Sequence, residues 1–284
     1  MSKTYAEALK WASLLLTKQK VDPDGARYVL MTRADWTPSQ LILHRQDPMP
    51  DAAWRQFQAD VARLAHFEPA QYITGQAPFF GTMFAVTPAV LIPRFETEEL
   101  VAWVAEEQTN AQTGLDMGTG SGAIGLTLAR QLPQIDMTLS DVSPSALAVA
   151  KQNAAAQKGN VHFVTSDLFN HLPGRFDFVV TNLPYIAPEE TSVMDQSTLR
   201  YEPKLALFAD HHGLALFERF VTELPQHLNP HGAAYLEFGY HQEPAAASSS
   251  NFSPRHGRAS AHGQASILGC HCQKKTRHLS AQVR

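Results

Sequence analysis

Apolar residues recur at helical spacing through the first 68 positions, then in strand-length runs from Arg94 onward. Thr4 with Glu7 matches a capping box and predicts a helix to about Lys18. Asp22-Pro23 and Thr37-Pro38 each set a capping side chain before a proline suited to the first helical position, predicting two more helices. Asp51 is expected to cap a fourth, whose Ala52, Trp54, Phe57, Val61 and Leu64 share one face. Residues 76–92 change character: Phe79, Phe80, Gly81, Met83, Phe84, Val86, Val90 and Leu91 read as a β-hairpin between two domains.

Strands and helices then alternate. The pattern predicts helix 96–108, strand 113–117, helix 122–132, strand 136–141, helix 144–157, strand 161–166, strand 176–182, helix 213–227 and strand 232–238. Such alternation implies a parallel sheet with helices on both faces, that is, an α/β doubly wound fold. Residues 186–212 are expected to form a long irregular connection of the kind that is usually functional or mobile.

Two stretches carry the chemistry. Thr181-Asn182-Leu183-Pro184-Tyr185 follows the apolar run Phe176–Val180, at a strand's carboxyl end, where open α/β sheets bind ligands. The Asn182 side-chain oxygen and the Leu183 carbonyl are adjacent acceptors that can grip both hydrogens of one –NH2 group, and Tyr185 can stack on the planar group bearing it. A strand ending in a proline turn is the plain alternative. Upstream, Leu115-Asp116-Met117-Gly118-Thr119-Gly120-Ser121-Gly122 places glycines at alternate positions before a helix, so the backbone can turn tightly and approach a ligand. Gly120, Gly122 and Gly125 also match the dinucleotide fingerprint, a weak signal alone. Asp141 stands where an acid binds ribose hydroxyls, which suits a nicotinamide cofactor or S-adenosylmethionine; Asp116, two residues before the first glycine, favours the methyl donor. Asp141 could instead cap the helix near Pro144, Asp167 could cap a turn, and Glu96, Thr97 and Glu98 could simply open a helix.

Asp116-x-Gly118-x-Gly120-x-Gly122, Asp141, Ser166-Asp167 and Asn182-x-Pro184-Tyr185 resemble a class I methyltransferase acting on a planar amino group. Gln71-Tyr72-Ile73-Thr74-Gly75, Phe80-Gly81 and Ile92-Pro93-Arg94-Phe95-Glu96-Thr97-Glu98 precede them, and Tyr201-Glu202-Pro203-Lys204-Leu205-Ala206-Leu207 follows. That series in that order resembles the release-factor glutamine methyltransferases over residues 1–243. Leu183 departs from the family's usual proline, which keeps the carbonyl acceptor but gives up the fixed φ. The resemblance implies a Rossmann-like methyltransferase domain at 94–243, a small all-α substrate-docking domain at 1–75 and a hairpin linker at 76–93. It implies transfer of a methyl group from S-adenosylmethionine to the side-chain amide nitrogen (N5) of a glutamine, in the Gly-Gly-Gln motif of class-1 peptide chain release factors.

The expected roles follow. Asp116 and Gly118, Thr119, Gly120, Ser121 and Gly122 hold the methionine end of the donor, Asp141 its ribose, and Asp167 with Leu168 its adenine. Asn182, Leu183, Pro184 and Tyr185 bind and orient the acceptor amide, with Asn182 also bordering the donor. An amide nitrogen's lone pair is delocalised, so catalysis rests on orientation and on acceptors matched to charge developing on nitrogen, with no metal and no strong general base. Open alternatives are a ribosomal-protein glutamine, adenine N6 of a nucleic acid, a nicotinamide-dependent dehydrogenase, and a release-factor-binding protein without turnover.

Composition narrows these. The net charge is −4, and residues 1–75 hold nine Lys/Arg against eight Asp/Glu, without the basic face of a nucleic-acid reader. There is no disulfide framework, no signal-peptide pattern and no run of membrane-spanning length, so a place in the cytoplasm is expected; a monomer is expected separately. Cys270 and Cys272 flank His271 but make a weak metal site. The last 41 residues stand apart, with six Lys/Arg and no acid, whereas all 27 acids lie before them. Residues 244–284 are therefore expected to be disordered and foreign to the fold, as a translational frameshift near residue 244 would leave them. Strand 232–238 would then lack the helix and two strands that the family's fold sets over it, leaving an edge prone to aggregation.

Overall fold

The computed structural model describes residues 3–239 and 266–272. They form two compact units, Met1–Ile92 with Glu190–Lys204, and Pro93–Glu189 with the residues from Leu205 onward.

The first unit is helical. It holds α1 (Tyr5–Lys18), α2 (Asp24–Ala34), α3 (Pro38–His44), α4 (Asp51–Leu64) and the short α5 (Ala70–Thr74). Thr4 and Glu7 form the expected capping box, and Thr37 with Gln40 forms another before Pro38. Two expected caps shift by one residue. Pro23 and Pro50 occupy the N-cap positions, and Asp22 instead accepts the Asp24 amide hydrogen at 2.9 Å. Ala8, Ala12 and Leu16 of α1 recur every fourth residue and bury against Val29, Leu30, Phe57, Val61 and Leu64. The buried Asp60 carboxylate is paired with Arg33 at 3.1 Å, and Arg33 also donates to the Ile73 carbonyl at 2.9 Å.

The hairpin consists of β1 (Gln76–Phe79) and β2 (Thr82–Ala85), antiparallel, with Phe79 opposite Thr82. Phe80 and Gly81 turn with φ of 47° and 72°, the positive pair that a type I′ hairpin loop requires.

The connection 186–212 is more ordered than its composition suggests. It contains a 3₁₀ segment at Pro188–Val193, the helix α9 (Gln196–Tyr201) and a 3₁₀ turn at Lys204–Ala206. Tyr201 donates to the His66 carbonyl at 3.1 Å, and the buried Glu202 accepts from the Ile92 amide at 3.2 Å. Tertiary partners within this unit thus supply the order that local sequence does not signal.

The second unit holds α6 (Glu96–Glu107), β3 (Thr113–Met117), α7 (Ala123–Gln131), β4 (Asp136–Asp141), α8 (Pro144–Gln157), β5 (His162–Thr165), β6 (Phe176–Thr181), α10 (Ala215–Glu223), β7 (Leu228–Gly239) and β8 (Ser266–Cys272). The expected helix 213–227 is shorter, ending in a 3₁₀ turn at Leu224–Gln226 where Pro225 intervenes. The sheet order is β5-β4-β3-β6-β7-β8, and every pairing is parallel. Strand order reverses between β3 and β6, the position at which doubly wound sheets open a crevice at their carboxyl edge.

β8 corrects the expectation that 244–284 is disordered throughout. Ser266–Cys272 pairs along β7 from Ala233 to Gly239 and covers its outer edge. The run Ser266-Ile267-Leu268 suits a strand, and the compositional break hid it. The rest of that tail lies outside the described residues.

Candidate active site

The glycine loop closes β3 and faces the turn that closes β6. Gly118, Gly120 and Gly122 all have left-handed φ, 69°, 55° and 83°, which side chains resist. Gly122 is the N-cap of α7 and offers no side-chain cap; Asp116 takes the Gly125 amide of the first turn, and the amides ahead of it are the ones suited to a polar ligand. A Cβ at Gly120 would meet no atom within 4 Å, so the loop backbone borders open space there. A Cβ at Gly118 would lie 3.3 Å from the Leu183 Cδ2, so the donor-side loop and the acceptor-side turn touch.

Carboxylates hold this loop from behind. Asp116 is fully buried; its Oδ2 accepts from the Thr119 hydroxyl at 2.6 Å and from the Gly125 amide at 2.8 Å. It thereby ties the first turn of α7 to β3. Its Oδ1 is buried without a hydrogen-bond partner among the described residues. Burial pushes the Asp116 carboxyl up to about 7, against the pull of those two hydrogen bonds, so Oδ1 is the oxygen suited to carry the proton. Asp141, at the end of β4, accepts from the Gly120 amide at 2.9 Å and from the Ser143 amide at 2.8 Å. Burial raises its pKa as well, opposed by these backbone donors. The next residue, Val142, is about half exposed and leaves an apolar surface beside the acid.

These residues fit S-adenosylmethionine: a bare backbone loop beside open space, an open helix terminus, and an acid with lone pairs to spare at the neighbouring strand end. Asp167 and Leu168 are held differently from that pattern. Asp167 is paired with Arg219 of α10 at 2.9 Å, and Leu168, with φ of 47°, buries its side chain among Phe169, Phe176 and Phe220.

On the acceptor side, the Thr181 hydroxyl donates to the Met117 carbonyl at 2.7 Å, fixing β6 to β3 just before the turn. Thr181 pairs with Leu236, so Asn182 and Glu237 stand side by side at the sheet's carboxyl edge. Asn182 donates its amide hydrogen to the Thr97 hydroxyl at 3.3 Å, and Thr97 donates to Glu237 Oε2 at 2.7 Å. The Tyr185 hydroxyl donates to Glu237 Oε1 at 3.3 Å. Leu183 packs on the core of this unit, and Leu183, Pro184, Tyr185, Leu214 and Phe217 line a small cavity with Glu237.

The structure therefore brings Asp116, Gly118–Gly122, Asp141 and Asn182–Tyr185 to one edge of the sheet. Thr97, weighed in sequence both as a helix opener and for a direct site role, is bonded to Asn182 and Glu237, and Glu237 was missed. Its signal was present: Glu237 is the only charged residue in the buried run Ala233–Phe238.

Comparison with known proteins places the chain in a family. Residues 96–201 match the methyltransferase small domain, and residues 7–75 match the PrmC N-terminal domain. A release factor glutamine methyltransferase of Enterococcus faecalis is 39% identical over 247 residues, covering 86% of this chain and 89% of that protein. Proteins of the same name from Streptococcus pneumoniae and Lactococcus lactis are 39% and 44% identical, over 80% and 64% of this chain and 82% and 68% of theirs.

Proposed function

Because this chain belongs to the release factor glutamine methyltransferase family, we propose that it methylates the side-chain amide nitrogen of a glutamine in class-1 release factors, within the Gly-Gly-Gln motif. The methyl donor is S-adenosylmethionine, which when bound supplies an already electrophilic methyl group. Gly118–Gly122 and the amino end of α7 hold its methionine end, with Asp116 bracing the loop, and Asp141 holds its ribose. Asp167 and Leu168 border its adenine.

The observation that carries the acceptor side is the orientation of Asn182. With Nδ2 donating to Thr97, Oδ1 turns to the other side of the amide, where it can accept an N–H from the substrate glutamine. The Leu183 carbonyl takes the second N–H, and Tyr185 flanks the glutamine side chain. Held by two acceptors, the planar –NH2 presents its lone-pair face to the methyl group, and the same acceptors stabilise the positive charge that grows on nitrogen. Once that charge has formed, the nitrogen is acidic, so the proton can leave to water without a dedicated strong base.

Among the described residues, no helix is long and apolar enough to cross a membrane. The working unit is a monomer that meets release factors in the cytoplasm and needs no direct nucleic-acid contact. Tritiated methyl transfer from S-adenosylmethionine to a release factor, a ribosomal protein and DNA, run in parallel, tests the reading. Label in the release factor alone, lost when its Gly-Gly-Gln glutamine is replaced, is the expected result. Label in the ribosomal protein or DNA but not in the release factor overturns it.

A further inference from the structure

We infer that Glu237 is a positioning residue for the acceptor amide: through Thr97 it dictates which end of the Asn182 side chain faces the substrate, and it steadies Tyr185 directly. The inference rests on the reading that Asn182 binds the substrate nitrogen.

The argument is one of donors and acceptors. A side-chain amide has an oxygen and a nitrogen of nearly the same shape, and only its hydrogen-bond partners choose between the two orientations. With Nδ2 outward, Asn182 would meet the substrate –NH2 donor to donor, and the site would repel what it must hold. Thr97 has a single hydroxyl proton. Burial raises the Glu237 pKa and the hydrogen bonds from Thr97, Tyr185 and Asn182 oppose it; ionised, Glu237 can only accept, and its Oε2 lies 2.7 Å from the Thr97 oxygen, so the proton goes there. The Thr97 oxygen is then left to accept, and it accepts from Asn182 Nδ2 at 3.3 Å. Asn182 Oδ1 is thereby turned away from Thr97. The second carboxylate oxygen takes the Tyr185 hydroxyl at 3.3 Å, so one buried group fixes both ends of the turn. Glu237 can set this polarity because it sits in a buried strand beside Asn182, where water does not compete for Thr97.

Glu237→Gln preserves shape while offering one donor and one acceptor in place of two acceptors. With the new –NH2 facing Thr97, the hydroxyl is driven to donate toward Asn182 and the chain reverses; with it facing Tyr185, the chain survives but the tyrosine hydroxyl loses its acceptor. The expected result is a kcat for release-factor methylation lower by about tenfold or more, with KM for S-adenosylmethionine changed less than about threefold. Thr97→Val, which removes the relay hydroxyl, should reproduce that loss, and Thr97→Ser should restore most of it. Adding Thr97→Val to Glu237→Gln should cost little more than either change alone.

Asn182→Ala is measured alongside. If it turns over normally, the reading of Asn182 itself fails. If it is inactive while Glu237→Gln or Thr97→Val keeps the wild-type kcat, that reading stands and the inference is overturned. Should Glu237→Gln fold poorly, the contrast between Thr97→Val and Thr97→Ser decides: equal activity in the two removes the relay.

Discussion

The Asp141 carboxylate accepts the Gly120 amide hydrogen at 2.9 Å, so the acid that closes β4 braces the glycine loop that closes β3. The same carboxylate holds the Ser143 amide at the start of α8. A carboxylate has about four lone-pair positions, so two such bonds leave room for ribose hydroxyls. The residue is therefore a brace that keeps acceptor capacity for the ribose role proposed above.

Asp141→Ala removes both roles and is expected to weaken S-adenosylmethionine binding by roughly 10–150-fold, the range for losing a charged hydrogen-bond partner. Titration calorimetry checks it. An unchanged dissociation constant would reduce Asp141 to a cap for α8.

Asn182→Ala is expected to do the opposite. Donor binding should stay near wild type, because Gly118–Gly122 and Asp141 are untouched, while single-turnover methylation falls by about 10²–10³, as for loss of one preorganised polar group. Near-wild-type turnover would remove Asn182 from the mechanism.

Where sequence and structure agree, one local rule governed. Thr4 with Glu7 capped a helix because the capping box is a local, four-residue device, and the strands at Asp116, Asp141 and Asn182 were legible because apolar runs met glycine or proline. Where they differ, tertiary structure decided. Glu237 stands out in sequence as a lone acid in an apolar run, but only the pairing of β6 with β7 sets it beside Asn182. Asp167 reads as a ligand acid, and the structure adds an ion pair between one of its oxygens and Arg219, 52 residues away, which no local pattern announces. The order within 186–212 comes from partners such as His66 and Ile92, which no local pattern announces.

Asp116 makes stability depend on pH. Its carboxyl titrates near 3.8 when unfolded and is pushed up to about 7 when buried. Between those values the folded chain keeps a proton that the unfolded chain has lost, so this contribution is fullest below the lower value and declines as pH rises to the upper one. Asp116→Asn should erase that slope, since its amide oxygen can still accept from Thr119 and Gly125. Denaturant unfolding of both proteins at about pH 5 and about pH 8 makes the comparison, the gap between them narrowing or reversing at the higher pH. A gap of constant size would mean that Asp116 titrates as an ordinary carboxylate in the folded protein.

The outer edge of β7 carries the last expectation. Ala234, Tyr235 and Leu236 in this strand are buried, and β8 pairs with it from Ala233 to Gly239. Without β8, that side of β7 presents a row of unpaired amides and carbonyls flanked by apolar residues, the form of edge that recruits other chains. A chain ending at Glu243 is therefore expected to melt at lower temperature than the full chain and to self-associate, read by thermal unfolding and by light scattering after size-exclusion chromatography. Leu268→Pro, which takes one amide from the middle of the β8 backbone, should move both readouts the same way with the tail retained, at a cost on the order of 1–3 kcal/mol. The paired design separates causes. If truncation destabilises but Leu268→Pro does not, some other part of 244–284 is responsible. If the truncated chain is monomeric with an unchanged midpoint, β7 is stable at the edge of the sheet and β8 contributes nothing to it.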